Sequence, residues 1–131
     1  MNHENAELLY VTNTIFAQMG GQRFISMTGA HSFVRGCADT GEFFLQFKLP
    51  GKMCKDGINL VRITLTPLDV YKVTFNRVSH DYKEGLHAEP VCEHDFIYAD
   101  GLEDIISEVT GLTTRLGLIV FDKAAVVGEQ S

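Results

Sequence analysis

The sequence is poor in cysteine, and the cysteines it has do not pair up. Cys37, Cys54 and Cys92 are an odd number at no recognisable spacing, which argues against a disulfide-stapled secreted scaffold and fits reduced thiols. Long apolar runs are missing too. No stretch approaches a membrane span, and Met1 is followed by polar Asn2-His3-Glu4-Asn5 rather than by a basic and then apolar leader. The expectation is a soluble intracellular protein that does not engage a membrane.

Catalytic patterns are equally thin. Thr28-Gly29-Ala30 reads as a turn that lacks the glycine spacing and the Lys-Ser/Thr of a nucleotide loop. His80, His87, Cys92 and His94 fall within fifteen residues, but not at the spacing of a zinc finger, a ribbon or a metalloprotease helix. Cys37 with His31 has no third group to orient the base and no oxyanion hole in the pattern. No catalytic residue, metal or cofactor is expected, and the enzyme reading is the minor one.

What the chain does have is alternation, clearest from Leu60 to Val78. Side chains on a strand point to opposite faces with period two. Val61, Ile63 and Leu65 therefore share one face, and Arg62, Thr64 and Thr66 the other. Thr66-Pro67-Leu68-Asp69 reads as a turn, since proline pre-sets φ for its second position. On the return, Tyr71, Val73 and Phe75 continue the apolar face, while Lys72, Thr74 and Asn76 continue the polar one. A second strand runs from Glu42 to Leu49, with Phe43, Leu45, Phe47 and Leu49 on one side and Phe44, Gln46 and Lys48 on the other. Phe44 is an aromatic on a polar face, placed to stack on a base or to be covered by a neighbouring element.

Around these strands the pattern predicts two main helices. Leu8, Val11, Thr12, Ile15, Phe16 and Met19 recur at helical spacing and are followed by Gly20-Gly21, which places a helix over 5–19. Gln22 to Met27 then reads as a strand. The sheet region is expected over 22–91, with a loop carrying Lys52 and Lys55 between Pro50 and Gly57 that could act as a basic finger, and a loop or irregular edge from Ser79 to Val91. Asp95 is placed to cap an acidic helix over 96–110, with Tyr98, Leu102, Ile105, Ile106 and Val109 as its stripe and Gly111 as its end. Leu118 to Phe121 can add a short strand, and 122–131 are expected to form a frayed tail. The fold class is α+β: one domain of 131 residues in which an antiparallel β-sheet has two main α-helices packed mainly on one face.

The net charge of −6 conceals a sharp division. From Lys48 to Lys83 seven basic residues (Lys48, Lys52, Lys55, Arg62, Lys72, Arg77 and Lys83) stand against three acids, a local balance of +4. From Glu84 to Glu108 there are eight acids and no Lys or Arg, a balance of −8. Local blocks of charge decide which partner each surface attracts. A sheet face offering Arg62, Thr64, Lys72 and Thr74 supplies cations and hydroxyls for phosphates, with Phe44 or Tyr71 as a plane for a base. Single strands suit such a face, because a flat sheet cannot enter a groove but can receive splayed bases.

Three blocks carry a resemblance. MGGQRFISMTGAHSF, GINLVRITLTPLDVYKVTFNRV and FIYADGLEDIISEVTGLTTRLG are similar to a family of small bacteriophage proteins, one that contains the single-stranded-DNA-binding RNA polymerase cofactor Drc. The likeness covers most of Leu8 to Leu116. It implies a role beside a phage RNA polymerase in the cytoplasm of an infected bacterium, and it carries no site residue over to this chain.

The leading expectation is a non-catalytic, homo-oligomeric single-stranded-DNA-binding protein, with Lys48, Lys52, Lys55, Arg62, Lys72 and Arg77 on phosphates and Phe44 or Tyr71 stacking. Five phosphate contacts would give a log–log salt slope of about −3.5. The alternative is a modulator of a host factor that binds protein through the acidic helix, to be tested by charge reversal at Glu103 and Asp104. A small metal-dependent enzyme is the third reading.

Overall fold

A computed structural model describes residues 3–81 and 85–112. In chain order these form α1 (His3–Gln18), α2 (Gly21–Thr28), β1 (His31–Cys37), β2 (Phe43–Lys48), β3 (Leu60–Leu65), β4 (Tyr71–Asp81), β5 (Gly85–Ile97) and α3 (Leu102–Thr110), with short 3₁₀ turns at Gly51–Met53, Lys55–Gly57 and Ala99–Gly101. The five strands form one antiparallel sheet in the order β1-β2-β3-β4-β5. The fold is α+β, as expected, with three described helices rather than two main ones.

The strand faces follow the alternation. Leu45, Phe47, Val61, Ile63, Val73 and Phe75 are buried, and they meet Ile15 and Met19 of the α1 segment, Phe24 of α2, and Leu102 and Ile106 of α3 in one core. Phe47 anchors it, edge-on to Phe24 at 5.4 Å and stacked on Phe33 at 5.2 Å between ring centroids. All three helices thus contribute to the side of the sheet that carries Phe47, Val61 and Val73.

The β3–β4 hairpin forms as expected, with Leu65 paired to Tyr71. Asp69 N–H donates to the Thr66 carbonyl at 2.9 Å, and Thr66 N–H donates to the Val70 carbonyl at 2.9 Å. Asp69 takes a φ of 63°, the left-handed position that closes such a three-residue loop. Aspartate tolerates that position better than most side chains.

Three local expectations are corrected or resolved. Gln22 to Met27 lies within a helix, because Gly20 at φ 123° and Gly21 at φ 58° redirect the chain after α1, and Phe24 and Thr28 then share the buried side. Thr28-Gly29 caps that helix: the Thr28 hydroxyl donates to the Phe24 carbonyl at 2.7 Å, and Gly29 N–H donates to the Ile25 carbonyl at 2.9 Å. Thr110-Gly111 ends α3 in the same way, with Thr110 on Ile106 and Gly111 on Ser107.

Second, of the two alternatives for 79–91, a loop or an irregular edge strand, the second holds for the described residues: 79–81 belong to β4 and 85–91 to β5, the last strand in the sheet order. Among the described strands β5 pairs with β4 alone, so Pro90 removes no ladder bond from a strand between two described neighbours, and the register shifts beside it. Since β3 reaches only as far as Asn76, Arg77 to Asp81 and their partners form a two-stranded arm beyond the sheet.

Third, Asp95 to Ile97 ends β5, and α3 starts at Leu102. Tyr98 is 67 % exposed and lies outside the buried stripe. The expected strand at 118–121 and the tail at 122–131 lie outside the described residues.

Candidate nucleic-acid interface

Because the described helices cover the Phe47 face, the alternate residues of β2, β3 and β4 form one that no described helix covers, although Thr64 on it is only 8 % exposed. Register places them in rows. Phe44, Thr64 and Lys72 stand side by side, followed by Gln46, Arg62, Thr74 and Glu93, and then by Lys48, Leu60, Asn76 and Pro90. Phe44 is thereby assigned to the uncovered face, a point that alternation could not decide.

Arg62 lies at the centre. Its Cζ sits 3.9 Å from the centroid of the Phe44 ring, and its Nε and Nη2 donate to Gln46 Oε1 at 3.0 and 2.8 Å. No carboxylate pairs with it among the described residues. Cation and ring attract through the ring quadrupole. The Phe44 ring in turn lies over Gly36 of β1, where an added Cβ would come within 2.5 Å of its Cζ. A larger residue at position 36 would push the ring off the sheet.

Lys48 is exposed on this face, two residues along β2 from Gln46, and has no ionic partner among the described residues. Lys72 is partly matched by Glu93, Nζ to Oε2 at 3.7 Å, both side chains being well exposed. Such an exposed pair is worth little, so Lys72 remains open to a stronger anion. With about 3.3 Å per residue along a strand and about 4.8 Å between strands, Lys72, Arg62 and Lys48 mark a diagonal of roughly 16 Å.

The other expected site residues fall elsewhere. Tyr71 is corrected: it is 6 % exposed on the covered face and donates its hydroxyl to Gln18 Oε1 at 2.5 Å, so its ring cannot receive a base. Burial, with the Asp69 charge second, pushes its phenol pKa up. Arg77 is matched by Glu89, with Nη2 to Oε1 at 2.7 Å, and it also donates to the Asp56 carbonyl at 2.8 Å. Lys55 is no mobile finger. Its Nζ donates to the Glu108 carbonyl at 3.2 Å at the C-terminal end of α3, where a cation suits the helix dipole. Lys52 is exposed on the 3₁₀ turn at Gly51–Met53. The basic block of the sequence therefore does not form one patch, and Lys83 lies outside the described residues.

The acidic helix is also more occupied than its sequence implies. Glu103 accepts from Arg23 of α2 at 2.7 Å, its side chain only 14 % exposed, and the two tie α2 to α3. His94 packs edge-on to Phe75 at 6.1 Å. Among the described residues no three His, Cys, Asp or Glu side chains converge as a metal site would need.

Sequence reasoning missed Phe96. Counted with the helix that follows, it instead sits at the end of β5 with 64 % of its surface exposed, beside Leu68 and Lys72. The cue was the alternation of Asp95-Phe96-Ile97-Tyr98, in which only Ile97 packs against the core. No described helix is long and apolar enough to cross a membrane. No protein-family model matches the chain, and neither a curated protein nor a solved structure matches it.

Proposed function

We propose that this chain binds single-stranded DNA on the uncovered face of its sheet and has no catalytic role. One observation carries the reading: Arg62, central on that face, is held by a neutral amide and an aromatic ring and, among the described residues, by no carboxylate. Its charge is left for an anion, and a guanidinium on an aromatic ring offers a plane on which a base can stack. Lys48 and Lys72 extend the phosphate track to either side. The face is the surface of a sheet, and splayed bases suit it better than a duplex groove does. The likeness to the Drc family extends the proposal to a homo-oligomeric cofactor of a phage RNA polymerase in the host cytoplasm.

The test is fluorescence anisotropy with one labelled oligonucleotide, presented single-stranded and then annealed to its complement. Binding should favour the single strand, and Arg62→Ala should weaken it by about tenfold or more, equivalent to about 1.4 kcal/mol. Arg77→Ala, at a cation already matched by Glu89, should change it little. Equal affinity of wild type and Arg62→Ala would discard this face as the site.

A further inference from the structure

The sheet ends beside a groove whose lining is unlike the face next to it. Leu68 and Val70 of the β3–β4 loop and Phe96 of β5 line it, together with Lys72, Glu42 and Asp95, around a volume of about 410 Å³. Leu68 and Phe96 are both largely exposed. Phe96 holds a φ of 57°, a left-handed conformation that a bulky aromatic rarely adopts. Strain of this kind persists where the surroundings impose it, and it gathers at ligand-binding positions. The Asp95 side chain has no hydrogen-bond or ion-pair partner among the described residues, and there the Glu42 carboxylate accepts only from the Thr40 hydroxyl at 3.0 Å.

We infer that this groove is a base-reading subsite for a nucleobase carrying an exocyclic amine, with cytosine preferred to thymine. The inference rests on the single-strand reading above, because Lys72 belongs to both the open face and the groove and makes them continuous. An extended strand crossing Arg62 toward Lys72 leaves a phosphate at the ammonium and the next base over the groove. Phe96 and Leu68 supply an apolar surface on which any base can stack. The carboxylates supply the selection. A carboxylate accepts from the cytosine N4 amine, whereas the O4 of thymine presents a second acceptor and is repelled. Two carboxylates against one lysine also disfavour a phosphate within the groove, so the base enters and the backbone stays at the rim.

The test compares oligo(dC), oligo(dT) and oligo(dU) of one length in anisotropy titrations of the full chain at neutral pH, the uracil strand controlling for the thymine methyl group. Wild type should bind oligo(dC) about fivefold or more tightly than either of the others. Asp95→Asn with Glu42→Gln should narrow that ratio, and Phe96→Gly should weaken all three. Because glycine accepts a positive φ, Phe96→Gly should unfold at the wild-type temperature or above, which separates lost binding from lost folding. Equal binding of the three strands, still sensitive to Arg62→Ala but not to Phe96→Gly, overturns this inference alone and leaves the groove to a protein partner. No binding of any strand removes the open-face reading as well.

Discussion

The Phe44 ring occupies the space that a side chain at Gly36 would need: a Cβ there would lie 2.5 Å from Phe44 Cζ and about 3 Å from both Cε atoms. Glycine at position 36 is thus part of how the open face is built. It lets the ring lie flat enough across β1 and β2 for Arg62 to settle over it.

Gly36→Ala should therefore disturb binding more than folding. The ring must swing away and the Arg62 contact must open, while the core on the other face is untouched. A cost of about 1 kcal/mol in urea unfolding is expected, at the low end for an overpacked site. Single-strand affinity should fall by at least as large a factor as in Phe44→Ala. Wild-type affinity in Gly36→Ala would show that the Phe44–Arg62 arrangement does not contribute.

Salt dependence measures how many cations the strand meets. Five of the six candidate cations on phosphates would give a log–log slope of about −3.5, but with Arg77 and Lys55 engaged elsewhere and Lys52 off the face, three of the six remain and the slope should be about −2. A slope of about −2.8 would mean that the ion pair of Arg77 opens on binding and adds a fourth contact.

Tyr71→Phe removes a buried hydroxyl that donates to Gln18. A loss of about 1 kcal/mol is expected, with DNA affinity unchanged. It should also alter the alkaline limb of the stability curve. Burial raises the folded-state phenol pKa above its unfolded value, so the folded protein holds this proton more tightly. That contribution is fully present below about pH 10 and is lost as pH rises through the folded pKa. Urea titrations from pH 9 upward should show a steeper decline in wild type than in Tyr71→Phe, and identical slopes would contradict the burial of this group.

The thiols should separate by rate. Cys37 is exposed, whereas Cys54 and Cys92 are partly buried, with thiol pKa values pushed up first by desolvation and, for Cys92, then by the Asp56 charge. Thiolate is the reactive form. A thiol reagent at neutral pH should label one site quickly and two slowly in the native protein, and all three at similar rates in urea. Peptide mapping that finds Cys92 among the fast sites would contradict the position given to β5.

Much of the fold was legible because its cues are local. Alternation in 43–49, 60–65 and 71–76 assigned every buried strand residue of the central sheet to its face, since period two needs no knowledge of neighbours. Gly111 marked a helix end, because the left-handed cap is a property of the residue itself. Gln22 to Met27 was misread because so short an apolar run fits helix and strand alike, and the choice fell to packing of Phe24 on Phe47.

By itself the sequence determined which side chains share a face: Phe44, Gln46, Arg62 and Thr64 against Phe47, Val61 and Ile63. Tertiary structure alone decided which face the described helices cover, because that depends on where α1, α2 and α3 pack on the sheet. It also decided which charges survive. The pairing of β4 with β5 lays the acidic block along the basic one, Glu89 against Arg77 and Glu93 beside Lys72, so much of the +4 region is matched within the protein. Arg62 escapes because β4 lies between its strand and β5: its guanidinium settles on Gln46 and Phe44 of the neighbouring β2, while Glu93 in the same row turns to Lys72, an arrangement set by strand order rather than by sequence.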